Sequence, residues 1–414
     1  MLISIRRLKR FQKNSKNNTN ILIMSKVGGV DDITTAYGQK ISQINFFIIQ
    51  RIFFRTIYNK FLSKTNLRDY SYKINNKKLE ILSYKYSCKV DYYLKFINRF
   101  YKFKSIISFN PFYKAERIIQ KISKKHDIKF IVLHKESVNS KYDNKVLKYL
   151  YTNMIDKFDG EAIATYSNLE KKNMIEANII KKKKIVTVGS PRCDQSFRYR
   201  KIIPESNIIT YYMIESNRGA PGYLLSGLSS KDKKILCKSL KINPKDLKVS
   251  WEELNKKTIN YCIDYARKNK DVQIIFKGKQ STHKRSDLPL SLPENCLFVK
   301  DGTGHELLKK SKIIIGFNST IILEAILANR DILIPYFNFK EMKNKKNFII
   351  DFNNQNYWVK SKLDLFQKIK KLIKSKYKNR KLSKSEKKVL DGYIGNSDGK
   401  ACERLIKFIN SSVK

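Results

Sequence analysis

Paired cysteines, paired histidines and acidic residues are what this chain lacks. Its six cysteines, at 88, 193, 237, 262, 296 and 402, form no C-x-x-C pair. That argues against a zinc ribbon or a disulfide framework and fits a reducing compartment. Its four histidines, at 126, 134, 283 and 305, form no H-x-x-x-H or H-E-x-x-H pair, which argues against a zinc hydrolase. G-x-x-x-x-G-K-[ST], G-x-S-x-G and a G-x-G-x-x-G after the first strand are also missing. A P-loop NTPase, an α/β-hydrolase and a dehydrogenase with the dinucleotide fingerprint are therefore set aside. No apolar run approaches the roughly 18 residues of a membrane span. After the basic start "MLISIRRLKRFQKN", the run "NILIM" is too short for a signal-peptide core. Residues 1–30 hold no acid at all, which leaves an organelle-targeting segment as the alternative to a cytoplasmic protein.

Acids are scarce throughout, 36 against 86 Lys and Arg, for a formal charge of +50. Such a surface attracts nucleic acid, anionic lipid or phosphorylated substrates. A general preference for Lys, Asn and Ile also raises the charge, so it selects none of the three by itself. With 414 residues, 42% hydrophobic and 12% aromatic, the chain is long and apolar enough for two domains, each with its own core.

Apolar β-rich runs alternate with helical patterns, the signature of βαβ units and parallel sheets. The first half gives candidate strands "NILIMS", "LEILSY", "SIISFN", "IKFIVLHK", "EAIATYS" and "KIVTVGS". Between them lie helical stretches at 33–63, "DYYLKFINRFYKF", "YKAERIIQKISKKH", "NKVLKYLYTNMI" and "NLEKKNMIEAN". The second half gives "IITYYMI", the helix "WEELNKKTINYCIDYARKN", and strands "VQIIFKG", "CLFVKD", "KIIIGF" and "DILIPYF". The stretch 190–207, with two prolines, reads as an interdomain linker. The expectation is an α/β protein of two doubly wound Rossmann-like domains, residues 1–197 and 198–385. A helical segment, 386–414, would then return to pack on the N-terminal domain.

Ligands of such sheets sit beyond the carboxyl ends of the strands. "IIIGFNSTIILEA" (313–325) carries Gly316, Ser319, Thr320 and Glu324 out of a buried strand into a helix. Free N–H groups and small hydroxyls at that start suit a phosphate. Glu324, four residues past Thr320 on the same face, would meet an attached ribose. The alternative is an ordinary N-cap and a solvent-facing Glu324. "VKDGTGHELLKKSK" offers Asp301, Gly302, Gly304 and His305 after another strand: a ligand loop, or a simple turn. Lys277, Lys279 and His283 in "IIFKGKQSTHKR", and Arg218 in "IESNRGAPG", would neutralise a diphosphate or else be solvated. In the first half, "FIVLHKES" ends on His134 and Glu136, candidate general bases or strand-end caps. "GSPRCD" (189–194) reads as the turn that leaves the domain.

The order of these motifs in the second half resembles the donor domain of GT-B glycosyltransferases of bacterial capsule and lipopolysaccharide biosynthesis. It is more distantly similar to CDP-glycerol glycerophosphotransferases. "GNSDGKACERLIKFI" resembles a closing segment of surface-polysaccharide proteins, and "LHKES" and "VTVGSPRCD" resemble acceptor-domain strand ends. Family members often carry a basic residue followed by His-Pro where this chain has "FKGKQSTH". The resemblance implies a GT-B architecture with a cleft between the domains. It implies phosphates at Gly316, Ser319 and Thr320, and ribose at Glu324. His305, Gly304, Lys277 and Arg218 would complete the nucleotide site, with Glu136 or His134 as acceptor base.

The expected activity is transfer of a sugar from a nucleotide-sugar co-substrate to a growing surface glycan or lipid-linked acceptor, with no cofactor and no metal. An anionic membrane surface at the inner face is an expected partner; nucleic acid is not. The rivals are a polyol-phosphate transferase, a sugar-nucleotide epimerase and a nucleic-acid-binding protein.

Overall fold

A computed structural model describes residues 5–8, 19–26, 28–38, 43–62, 77–135, 138–219, 224–225, 228–302, 304–337, 347–350 and 355–413. Seven strands form the first sheet: β1 (Ile5–Arg7), β2 (Thr19–Met24), β3 (Ile44–Ile49), β4 (Ser105–Ser108), β5 (Lys129–His134), β6 (Ala162–Thr165) and β7 (Ile185–Thr187). Their order is β1-β3-β2-β4-β5-β6-β7. All pairs are parallel except the short edge strand β1 on β3. The second sheet holds β8 (Glu205–Tyr212), β9 (Gln273–Lys277), β10 (Cys296–Val299), β11 (Ser311–Ile315), β12 (Asp331–Pro335) and β13 (Trp358–Val359). It is wholly parallel, in the order β10-β9-β8-β11-β12-β13. Two doubly wound α/β domains are the result.

Strand alternation explains the two-sided burial of the first sheet. Leu22, Phe47, Ile106 and Val132 enter one core, and Ile21, Phe46, Ile107 and Ile131 enter the core on the opposite face. Leu405, Phe408 and Ile409 of the C-terminal helix Ala401–Val413 close that second core. Asp194 caps this helix from a distance, its carboxylate accepting from the N–H groups of Ala401 (3.0 Å) and Cys402 (2.8 Å).

Four sequence expectations differ from the structure. "LEILSY" is not a strand but lies within the long helix Lys77–Tyr101. Its apolar residues belong to a 3.6-residue period that a six-residue window does not reveal. Conversely, 33–63 is not one helix: β3 interrupts it between helices Gly29–Tyr37 and Arg51–Leu62. The 190–207 stretch is no loose linker, because it folds into the helix Cys193–Arg198, with Cys193 and Tyr199 in the second domain's core. Finally, helix Ser230–Leu240 belongs to the first domain by packing. Its Leu236 joins the core that holds Tyr142 and Val146, so the chain crosses between domains more often than a division at 198 implies.

Candidate active site

In the second sheet β8 and β11 are neighbours, and their following loops part to opposite faces. This is the topological switch point, where such sheets leave a crevice. In the first sheet the corresponding point lies between β2 and β4. The two carboxyl edges meet: Ser140 Oγ of the first domain donates to the Gly219 carbonyl of the loop after β8, at 3.0 Å. Gly219 takes φ +86°, and a Cβ there would sit 2.1 Å from the Asn347 carbonyl oxygen. Asn318, after β11, ties these loops by donating from Nδ2 to the carbonyls of Arg218 (3.2 Å) and Asn347 (3.1 Å).

Glu324 does not face solvent. It lies on the fully buried helix Ile321–Leu327, and its Oε2 is 2.9 Å from His305 Nδ1 on helix Gly304–Lys310. The two atoms are close but poorly aligned, and neither has a well-formed hydrogen bond elsewhere. Burial pulls the His305 pKa down, and the Glu324 charge outweighs it, so the imidazole titrates above its usual value. The carbonyl ends of both short helices are held by buried guanidiniums. Arg200 donates to Ile326 and Leu327, and Arg330 to Leu308 and Lys309. These anchors fix where Glu324 and His305 stand.

Thr320 makes no capping bond through its side chain, and Ser319 Oγ accepts only a long 3.4 Å bond from the Ile321 N–H. Both half-buried hydroxyls therefore retain bonding capacity. The close approach that Gly316 allows is that of Ile322, whose Cδ1 would lie 3.1 Å from an added Cβ. Gly304 likewise meets the ring of Tyr212, whose hydroxyl donates to the Gly304 carbonyl at 2.6 Å. Lys277 is committed: its ammonium donates to the carbonyls of Lys300, Asp301 and Gly302 at 2.7, 2.9 and 3.2 Å. Its three N–H bonds are thus used in holding the loop after β10, and it reaches a ligand only through that loop. Arg218, Lys279 and His283 line an adjoining cleft of about 690 Å³. Lys279 pairs with Glu215 at 2.6 Å, and His283 accepts from the Lys279 N–H and contacts the Ile214 carbonyl.

The first-domain wall was largely missed by sequence reasoning. Asp32, fully buried on helix Gly29–Tyr37, accepts from Arg192 Nε (3.1 Å) and Nη2 (2.8 Å) and from the Tyr166 hydroxyl (2.9 Å). Arg192 Nη2 also donates to the Gly28 carbonyl at 2.9 Å. Gly28 takes φ +76°, and a Cβ there would meet Arg192 Nη2 at 2.8 Å and Lys135 Nζ at 3.1 Å. Burial opposes the charge on Arg192, and Asp32 offsets it with a smaller share from Glu324, so the guanidinium stays firmly protonated. Arg192 therefore lies within electrostatic reach of the second domain's carboxylate. "GSPRCD" does more than turn the chain: it supplies Arg192 to the cleft and Asp194 to the last helix. The available signal was the "GGVDD" turn after the first strand, glycines followed by acids in a chain poor in both.

His134 ends β5 but is sealed inside the first domain, 3.5 Å from the buried Glu170. That position leaves it no path to an acceptor hydroxyl. Glu136 lies outside the described residues.

Arg192, with Lys135 Nζ beside the same Gly28 turn, stands on the first-domain side and faces the second domain's His305 and Glu324, while Arg218 and Lys279 line the adjoining cleft. The carboxylate Glu324 and two hydroxyls lie at the switch point. The arrangement suits a polyanion carrying a hydroxylated group. No protein-family model matches the chain, and no curated protein matches it by sequence. Solved structures do match. A putative UDP-N-acetylglucosamine 2-epimerase from Listeria monocytogenes aligns over 95% of this chain and 96% of its own, with TM-score 0.51 and 8% identity. Arabidopsis thaliana UGT89C1 complexed with UDP aligns over 96% of this chain and 100% of its own, with TM-score 0.50 and 9% identity. At such identities the likeness is one of fold. The architecture is GT-B: two Rossmann-like domains facing a cleft.

Proposed function

We propose that the chain is a glycosyltransferase that moves a sugar from a nucleotide-sugar donor onto a glycan acceptor. The observation that carries this reading is the buried Glu324–His305 pair at the β8/β11 switch point, opposite Arg192 on the other wall. A ribose hydroxyl binding there would draw the poorly aligned His305 and Glu324 apart and take the place of each as the other's partner, donating to the carboxylate. The diphosphate would lie toward Ser319 and Thr320, with Arg192 and His305 offsetting the charge that grows as the sugar–phosphate bond breaks. The acceptor oxygen forms the new bond to the sugar carbon and yields its proton to a first-domain base; Glu136 is the candidate. A growing surface glycan, free or lipid-linked, is the acceptor class this reading takes from the motif resemblance.

The test is a thermal-shift screen with UDP, CMP, CDP and GDP, since a ligand that binds the native state raises its melting temperature. Donor turnover is then followed with and without glycan acceptors. Stabilisation by one diphosphate and acceptor-dependent sugar transfer support the proposal; no stabilisation by any of them overturns it. The fold relative described as a putative epimerase motivates a second reading. Conversion of a UDP-sugar without acceptor would establish that reading instead, and phosphate in the product would mark a polyol-phosphate transferase.

A further inference from the structure

Helix Lys77–Tyr101 presents two opposite faces. The inner one buries Tyr86, Val90, Leu94 and Ile97 in the first domain's core. The outer one carries Ile81, Tyr84, Tyr92, Phe96 and Phe100, which are 56%, 70%, 64%, 45% and 70% exposed. With the exposed Cys88 between them, they follow one another at steps of three or four residues, a single stripe along most of the helix. The other exposed large apolar side chains among the described residues sit singly on separate elements: Val186, Ile203, Ile235, Leu290, Leu297 and Leu363. Isolated exposure of that kind is ordinary; a contiguous stripe marks a contact surface.

The charges on the same face identify the partner. Lys85, Lys89, Lys95 and Arg99 are exposed and interleave with the aromatic residues. Of the helix's two acids, Glu80 stands at its start and Asp91 is engaged by Lys125 (2.7 Å) and His126 (2.5 Å). We propose that this face docks on the surface of an anionic phospholipid bilayer. Its rings would enter the headgroup boundary while the four cations meet lipid phosphates, the arrangement of an interfacial helix. The helix lies on the bilayer rather than through it, since no described helix is long and apolar enough to cross a membrane. A second copy of the chain would bring the same cations against one another, in a molecule of formal charge +50. Single-stranded nucleic acid is held by stacking within a basic groove, whereas this stripe is the outer face of a single helix. The proposal gives the anionic membrane surface expected from the sequence a contact on one helix of the first domain.

Vesicle flotation of the full chain tests it without turnover, so its outcome is independent of the donor-site reading. The probes are phosphatidylcholine vesicles and phosphatidylcholine vesicles containing phosphatidylglycerol, at low and high salt. The expected result is binding to the anionic vesicles only, weakened by salt. Lys89→Gln with Arg99→Gln should lower partitioning by about fivefold per charge, and Phe96→Ser with Phe100→Ser by at least tenfold. Leu290→Ser, at an isolated exposed site, should leave binding unchanged. All these side chains are exposed, and circular dichroism should show unaltered folding. Equal binding to neutral vesicles, or binding untouched by the helix substitutions, would overturn the proposal. So would their abolishing instead a concentration-dependent dimer in light scattering, or the binding of an oligonucleotide, with no vesicle binding at all.

Discussion

Arg192 and Asp32, 160 residues apart in sequence, meet through two hydrogen bonds of 3.1 and 2.8 Å and so join the loop after β7 to the helix Gly29–Tyr37 that follows β2. Asp32 is sealed, while the Arg192 side chain is 36% exposed. The pair is therefore a positioning device, with Asp32 and Tyr166 aiming a guanidinium into the cleft.

Asp32→Asn keeps the shape and removes the charge, leaving the guanidinium poorly compensated. We expect a loss of about 2 kcal/mol in chemical denaturation, less than for a fully buried pair because Arg192 is partly solvated. A double-mutant cycle with Arg192→Met should show coupling of about 1–2 kcal/mol. Simple additivity of the two substitutions would disprove the pairing.

The Glu324–His305 pair predicts a change of sign. In the wild type, burial lowers the His305 pKa and the neighbouring carboxylate raises it above 6.5. Because the folded value exceeds the unfolded one, the pair's contribution is complete below 6.5 and is lost as pH rises through the folded pKa. Glu324→Gln leaves burial unopposed by that carboxylate, so His305 should titrate below 6.5. NMR titration of the His305 ring reads both values. A wild-type value at or below that of Glu324→Gln would refute the electrostatic reading.

The second-domain part of this candidate site was legible in the sequence, for physical reasons that differ residue by residue. Gly316 to Glu324 lie within nine residues, so strand, turn and helix place them together whatever the rest of the chain does. Their linkage to His305 follows from adjacency of β10 and β11 in chain order. Arg192 and Asp32 could not be paired in this way, since their contact depends on the order of the first sheet and on the fold of the 190–207 stretch. Lys277 shows the opposite failure: a lysine at a strand end resembles a ligand group until its three carbonyl partners are seen.

The donor reading separates two kinds of variant. Glu324→Ala should weaken a nucleoside and its diphosphate alike, because both carry ribose. Ser319→Ala with Thr320→Ala should weaken the diphosphate far more than the nucleoside. Each lost hydrogen bond to a charged oxygen costs about 1.5–3 kcal/mol, roughly one to two decades in affinity. Calorimetry decides, on variants whose circular dichroism shows them folded. Unchanged affinity in both would leave "GFNSTIILEA" as an ordinary buried helix start.

Glu386 makes the last prediction, and it concerns the segment that returns between the domains. Its carboxylate accepts two bonds from Arg380 (2.7 Å each), one from the Ser383 N–H (2.9 Å) and one from the Tyr357 hydroxyl (2.8 Å). Burial works against its charge, and these donors more than offset it, bringing the pKa from 4.5 down to about 2. A depressed folded pKa gives stability that is present above 4.5 and is lost as pH falls toward about 2. The full shift corresponds to about 3 kcal/mol; the half-exposed Arg380 reduces this to about 2 kcal/mol. Glu386→Gln should therefore be less stable than the wild type by about that amount near neutrality, with the gap closing in acid. The same helix, Lys384–Tyr393, binds the first domain: Ser167 Oγ donates to the Gly392 carbonyl (2.9 Å) and Asn168 Nδ2 to the Asp391 carbonyl (3.0 Å). Hydrogen exchange of 384–396 should accordingly rise in Glu386→Gln at neutral pH. A stability gap that does not vary with pH would show that the carboxylate's charge is not what holds this crossing together.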